Sequence, residues 1–343
     1  MRWREVWTGA VVTSNAMTEI KHRTIQTNGI NLHIAEAGEG PLVLLCHGFP
    51  ESWYSWRHQL PALAAAGYHA VAPDMRGYGQ SDAPAEIERY TVFHLIGDMV
   101  GVLDALGART CTIVGHDWGS IVAWNAALLR PERFSSVCGM SVPFFPRGPM
   151  PPTQMFKALA GDRFMYILYF QEPGKAEREL DADPTKTMRM MLYSASGSVP
   201  REEKWNLELP KTSGFLTGMK EPQRLPSWLT QSDLDFYAGE FARRGFRGGL
   251  NWYRNFDRNW ELLAPWADAK VTVPSFFIGG LRDGVVTGPG GEGEGPMVQM
   301  LPTFCTDLRG KVLIEGAGHW NQQEAPEATN KALLEFLGGV HRR

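Results

Sequence analysis

The chain has 343 residues, with 34 Lys and Arg against 37 Asp and Glu and a formal net charge of −3. It carries no basic block, so neither nucleic acid nor an anionic membrane is implied as a partner, and no apolar run is long enough to span a bilayer. A hydrophobic content of 43% with 21% charged residues suits one large α/β domain, or such a domain with an insertion.

Residues 1–18 read as a poorly structured N-terminal extension. Met1 to Ala16 has early basic residues and a late Ser14-Asn15-Ala16, faintly like a signal peptide, but Glu5, Thr8 and Gly9 interrupt it. Regular patterning starts at Thr24. Thr24–Thr27, a turn at Asn28-Gly29 and Ile30–Ala35 predict a β-hairpin. Leu42–Cys46 is a continuous apolar run, as a strand buried on both faces would be, and it ends at His47-Gly48-Phe49-Pro50. A helix over Ser52–Ala66, a strand over Ala70–Ala72, a glycine-punctuated loop Arg76–Ser81 and a helix over His94–Leu106 follow. Next come a strand at Thr110–Val114, a helix at Ile121–Arg130 and a strand at Ser135–Val142. Strands alternating with helices predict a parallel, doubly wound sheet.

The rhythm breaks after Val142. Prolines crowd positions 143–152, and helical periodicity with many aromatics then runs on until strand character returns at Val271–Gly280 and Lys311–Glu315. The prediction is a core built from 19–143 and 266–343, with a helical lid, 144–265, inserted over the carboxyl edge of the sheet where ligands bind. Gly288 to Gly293 formally matches G-x-G-x-x-G. It does not join a strand to a helix, and Glu292 and Glu294 would repel a pyrophosphate, so it reads as a surface loop.

The chemistry centres on Gly115-His116-Asp117-Trp118-Gly119. Strand, tight turn and helix meet there in the pattern of a nucleophile elbow, with aspartate where a serine usually stands. An aspartate that merely N-caps a helix would look the same locally, so the partners decide. In this architecture the order is nucleophile, acid, histidine. Asp283 follows one late strand and His319, in Gly316-Ala317-Gly318-His319-Trp320, follows the next. Either alone reads as an ordinary loop residue; together, at strand ends, they complete a triad with Asp117. Phe49 and Trp118 would supply the backbone N–H groups of an oxyanion hole, and His47 reads as structural.

These motifs, with Asp74–Ser81, Tyr166–Gly174 and Asn251–Asn255, resemble those of the epoxide hydrolases of the α/β-hydrolase fold superfamily, from about residue 24 to the C-terminus. The resemblance implies Asp117 as nucleophile, Asp283 as acid, His319 as base, and Tyr166 and Tyr253 as lid phenols. Tyr169 is the competing choice for Tyr166, ranked second because the family's tyrosine lies four residues before the phenylalanine that is here Phe170. The acidic, glycine-rich loop after Asp283 is longer than the family pattern.

A carboxylate can displace at a saturated carbon and leave a hydrolysable ester, whereas a serine would leave an inert ether. The expected reaction opens a small apolar epoxide to a vicinal diol, with water as co-substrate and neither metal nor organic cofactor. Phe170 and Trp252 are candidate pocket residues, although lid aromatics are as often simple core. Two rivals stay open at this level: a haloalkane dehalogenase, which shares Asp117 and Trp118, and a non-catalytic ligand-binding protein of the same fold. The four cysteines, Cys46, Cys111, Cys138 and Cys305, lack zinc-type spacing, which favours reduced thiols and a cytoplasmic setting. A homodimer is compatible with the sequence.

Overall fold

The apolar runs become the strands β1 (Lys21–Thr27), β2 (Ile30–Ala37), β3 (Leu42–Cys46), β4 (His69–Pro73), β5 (Cys111–His116), β6 (Phe134–Met140), β7 (Ser275–Gly280) and β8 (Leu308–Ile314). The computed structural model describes residues 19–205, 208–288, 291 and 293–341. The N-terminal extension and Pro289, Gly290 and Glu292 of the glycine-rich stretch lie outside them.

One sheet holds all eight strands in the order β1-β2-β4-β3-β5-β6-β7-β8. β1 and β2 form the predicted antiparallel hairpin, with Asn28 and Gly29 both at positive φ in its turn. β2 meets β4 antiparallel, and every later pair is parallel. β3, β5 and β7 are buried along their whole length, because helices cover both faces.

Helix α1 (Gln59–Ala65) and the C-terminal helix Pro326–His341 pack on one face through Leu60, Leu63, Leu333, Phe336 and Leu337. Helices α2 (Val92–Ala105) and α3 (Trp118–Leu129) pack on the other. The single helix predicted over Ser52–Ala66 is instead broken. Ser52 accepts the Tyr54 N–H and starts a short 3-10 turn, Trp53–Trp56, while the Trp53 N–H is drawn away to Asp74 Oδ1 at 3.0 Å. α1 begins only two residues before Pro61, which fits in a first helical turn because its missing N–H is not needed there.

Between β6 and β7 the described chain forms helices α4 (Pro152–Ala160), α5 (Tyr166–Tyr169), α6 (Lys175–Leu180), α7 (Pro184–Ser194), α8 (Gln231–Arg244), α9 (Arg247–Arg254) and α10 (Phe256–Leu262). Strand-like pairing there is limited, among the described residues, to two isolated bridges, Arg163 with Pro210 and, just before β7, Val271 with Cys305. The segment is tied down to the sheet-bearing part. Tyr54 Oη donates to Asp233 at 2.9 Å, Trp252 Nε1 to the Arg76 carbonyl at 3.1 Å, and Asn255 Nδ2 to the Ile87 carbonyl at 2.7 Å. Among the described residues no helix is long and apolar enough to cross a membrane.

The strand order positions the site. From β3 the chain steps one way to β4 and then returns to place β5 on the other side, so β3 and β5 are neighbours at the point where the winding reverses. His47-Gly48-Phe49 leaves the carboxyl end of β3 beside Asp117 at the carboxyl end of β5.

Candidate active site

Asp117 sits where β5 turns into α3, at φ 54° and ψ −121°. A non-glycine residue in that region costs about 1–3 kcal/mol, a strain the surrounding structure must hold in place. It does so by close packing. A Cβ on Gly115 would lie 2.0 Å from the Gly119 carbonyl oxygen, and one on Gly119 would lie 2.0 Å from that of Cys46. The helix therefore starts at Trp118, three residues earlier than its apolar periodicity indicates, and the aspartate is left pointing outward without capping it.

The two carboxylate oxygens are differentiated. The Phe49 N–H donates to Oδ1 at 2.8 Å, and Gly48 leaves room for this because a Cβ there would come within 2.4 Å of the same oxygen. Oδ2 lies 3.4 Å from His319 Nε2. On its other side, His319 Nδ1 is 2.9 Å from Asp283 Oδ2. Asp283 is buried, and its second oxygen accepts the Val285 N–H at 2.9 Å at the start of the helical turn Gly284–Thr287. The structure thus brings Asp117, His319 and Asp283 into one line, the glycine-rich stretch following Asp283 notwithstanding. Burial alone would lower the His319 pKa, but the Asp283 and Asp117 carboxylates more than offset it and hold it well above its ordinary value.

Above the carboxylate lies an aromatic ceiling. The rings of Tyr166 and Tyr253 pack edge-on with centroids 6.0 Å apart, and Tyr253 also meets Trp118 at 5.2 Å and Phe49 at 5.5 Å. Burial, followed by the Asp117 charge, raises the pKa of both phenols, which keeps them protonated as donors. Tyr169 is engaged elsewhere: its hydroxyl donates to Glu179 at 2.7 Å, and Lys175 lies over its ring. Phe170 is fully buried between Phe49, Tyr166 and Tyr253. Trp252 is also fully buried, edge-on to Trp118 and Tyr78 with its indole N–H bound to Arg76.

His47 has both nitrogens occupied by backbone. Nδ1 donates to the Gly48 carbonyl at 2.9 Å, and Nε2 accepts the Met75 N–H at 3.0 Å.

Sequence reasoning missed the layer beneath. Glu51 is buried and accepts the Gly48 N–H at 2.8 Å, His116 Nδ1 at 2.7 Å and Gln322 Nε2 at 3.0 Å. His116 Nε2 donates to the His319 carbonyl at 2.7 Å, so both of its ring nitrogens are engaged, one by Glu51 and one by the histidine loop. Burial would raise the Glu51 carboxyl, yet the adjacent His116 charge and hydrogen bond hold it at about 2. Ser141, at φ 62°, also donates to the His319 carbonyl at 2.7 Å. This network joins the oxyanion turn to the histidine loop.

The sequence matches the α/β hydrolase fold family over residues 41–326. It is 49% identical to epoxide hydrolase A of Mycobacterium tuberculosis, covering 94% of this chain and 98% of that protein. It is 44% identical to epoxide hydrolase 3 of Siraitia grosvenorii, covering 94% and 99%. Among solved structures, epoxide hydrolase A of Mycobacterium thermoresistibile superposes with a TM-score of 0.88 at 48% identity, over 94% of this chain and 99% of that one. An epoxide hydrolase from an endophytic Streptomyces gives 0.89 at 45% identity, over 94% and 96%. The chain belongs to the α/β-hydrolase fold family and, within it, to the epoxide hydrolases.

Proposed function

We propose that this chain opens a small apolar epoxide to a vicinal diol through an ester on Asp117, beneath a lid formed by the helical segment between β6 and β7. The observation that carries the reading is the position of the Asp117 carboxylate, between a backbone donor on one oxygen and an imidazolium on the other, facing two protonated phenols.

Oδ1 already occupies the oxyanion site, which leaves Oδ2 to attack a ring carbon of the epoxide. The C–O bond breaks as the new one forms, and the departing oxygen takes a proton from Tyr166 or Tyr253 on the far side of that carbon. Alkylation removes the Asp117 charge, one of the influences that raise His319. The ring then loses its proton more readily and becomes the base for the second step, so the nucleophile's own consumption arms it. Held by Asp283, His319 takes a proton from water, and the hydroxide adds to the ester carbon while the Phe49 and Trp118 N–H groups bind the oxyanion. The Asp117 ester oxygen departs with the diol and takes the proton that His319 drew from water, the phenolate recovers the proton that His319 shed after the first step, and the water oxygen stays on Asp117.

The haloalkane reading needs side-chain N–H donors for a leaving halide; here the phenylalanine Phe49 and the phenols of Tyr166 and Tyr253 stand around Trp118 and Asp117 instead. The four cysteines are free and buried, which supports a reducing, cytoplasmic setting. The test is a panel of alkyl and aryl epoxides assayed for diol, with haloalkanes as control. Diol from epoxides and no halide from haloalkanes is expected; halide release without diol, or no turnover on either set, would overturn the reading.

A further inference from the structure

The loop that carries His319 presents three successive N–H groups, and none is satisfied by the sheet. Gly318 donates to Glu324 Oε2 at 3.1 Å and Trp320 to Glu324 Oε1 at 3.0 Å, so one carboxylate grips the chain on both sides of the histidine. The His319 N–H itself donates to the Ala195 carbonyl at 2.9 Å, just after α7 in the helical segment. Glu324 Oε2 also accepts the Gly197 N–H at 2.7 Å and the Ser196 hydroxyl at 3.0 Å. Ser196 can direct its proton to Glu324 because its oxygen receives the Trp228 indole N–H, at 3.0 Å. The Trp320 indole adds a further tie, to the Leu192 carbonyl at 2.9 Å.

The two loops touch backbone to backbone. A Cβ on Gly197 would lie 2.0 Å from the Gly316 carbonyl oxygen, and one on Gly318 would lie 2.1 Å from the Gly197 nitrogen. Only glycine permits this approach, and without it a single carboxylate could not span both loops. Burial raises the Glu324 carboxyl, opposed by the Gly197 and Gly318 N–H bonds.

We propose that Glu324 is a positioning residue, a clamp that fixes the His319 loop to Ala195–Gly197, so that the lid as well as the sheet sets where the base stands. This rests on the ester mechanism above, and it separates the two steps. Ester formation uses Asp117 and the phenols, none of which touches Glu324; ester hydrolysis uses His319. A merely structural carboxylate would slow both steps alike or change only stability.

The test is a single turnover with an accepted epoxide, following ester formation and ester decay separately in Glu324→Gln and Glu324→Ala. The amide keeps the acceptor at one oxygen and turns an NH₂ against N–H donors at the other, while alanine removes every bond. Decay is expected to slow about tenfold in the Gln variant and about a hundredfold in the Ala variant, the size of effect that a shift of about 1 Å in a reacting group produces. Formation should stay within about twofold of the unsubstituted protein in both. Unchanged decay, or equal slowing of both steps, would overturn the clamp. Should the Ala variant not fold, Ser196→Ala removes one of the clamp's bonds, from the lid side, along with the Trp228 and Ser198 N–H bonds to the same hydroxyl, and leaves every Glu324 bond to the His319 loop; slower decay with unchanged formation supports the clamp, and unchanged decay overturns it. Absence of any ester in the unsubstituted protein would instead overturn the mechanism on which the clamp rests, an outcome distinct from ester that forms and decays unaltered.

Discussion

Replacing Tyr166 and Tyr253 by phenylalanine, singly and together, removes two hydroxyl groups and little else. Tyr253 is 5% exposed and packed against Phe49, Trp118 and Phe170, and a phenylalanine preserves each of those ring contacts. What is lost is a hydrogen bond to a developing alkoxide. A bond to a charged group is worth about 1.5–3 kcal/mol, and about 1.4 kcal/mol is tenfold in rate, so one phenol corresponds to roughly 10- to 100-fold. Each single variant should slow ester formation by that factor, because the second phenol still donates. The double variant should lose about 10³-fold or more, within the range of general-acid assistance. Both phenols are raised above their ordinary range, so ester formation should show no alkaline decline from their ionisation up to about pH 10. The assay is rapid-mixing kinetics of ester formation, with decay of the ester recorded in the same experiment. Decay should change little, because its oxyanion faces the Phe49 N–H and not the phenols. A double variant that forms ester at an undiminished rate would refute the reasoning.

Asp283→Asn removes one of the two charges that raise His319. A base with a raised pKa acts only as pH climbs past it, so the variant's ester-decay profile should rise at lower pH than that of the unsubstituted protein. Its plateau should also fall about 100-fold as the ring loses its orientation; a profile displaced to higher pH would contradict the assignment. Glu51→Gln leaves His116 buried without its carboxylate and should cost about 3–5 kcal/mol in urea denaturation at neutral pH. A second change, His116→Gln, should recover part of that loss, and a cost below about 1 kcal/mol for the single variant would show that the pair is not an ion pair.

The sheet and the elbow were legible because their signals are local. Buried parallel strands announce themselves as unbroken apolar runs, and β3 begins and ends where the sequence places it. Asp117, Asp283 and His319 were legible because each follows such a run, and the topology then collects the strand ends. The helical segment was harder. Its helices are short, α5 only four residues long, so periodicity alone does not say which of Tyr166 and Tyr169 faces inward; Glu179, ten positions on, is what occupies Tyr169. Glu51, His116, Ser141 and Glu324 carried no local signal at all. Each is a single polar residue whose meaning lies in partners as far as 272 positions away, as Glu51 is from Gln323, and no pattern in the chain records that distance. The broken helix after Ser52 has the same cause, since the bond that draws Trp53 away comes from Asp74.

The most direct measurement is one turnover in water enriched in heavy oxygen, with protein in excess over epoxide. If Asp117 Oδ2 attacks and water then adds to the ester carbon, the first diol carries an unlabelled oxygen taken from Asp117, and the heavy oxygen appears in the Asp117 carboxylate on peptide mass analysis. Heavy oxygen in the first-turnover diol, with Asp117 left unlabelled, would mean that water attacks the epoxide directly and that no ester forms.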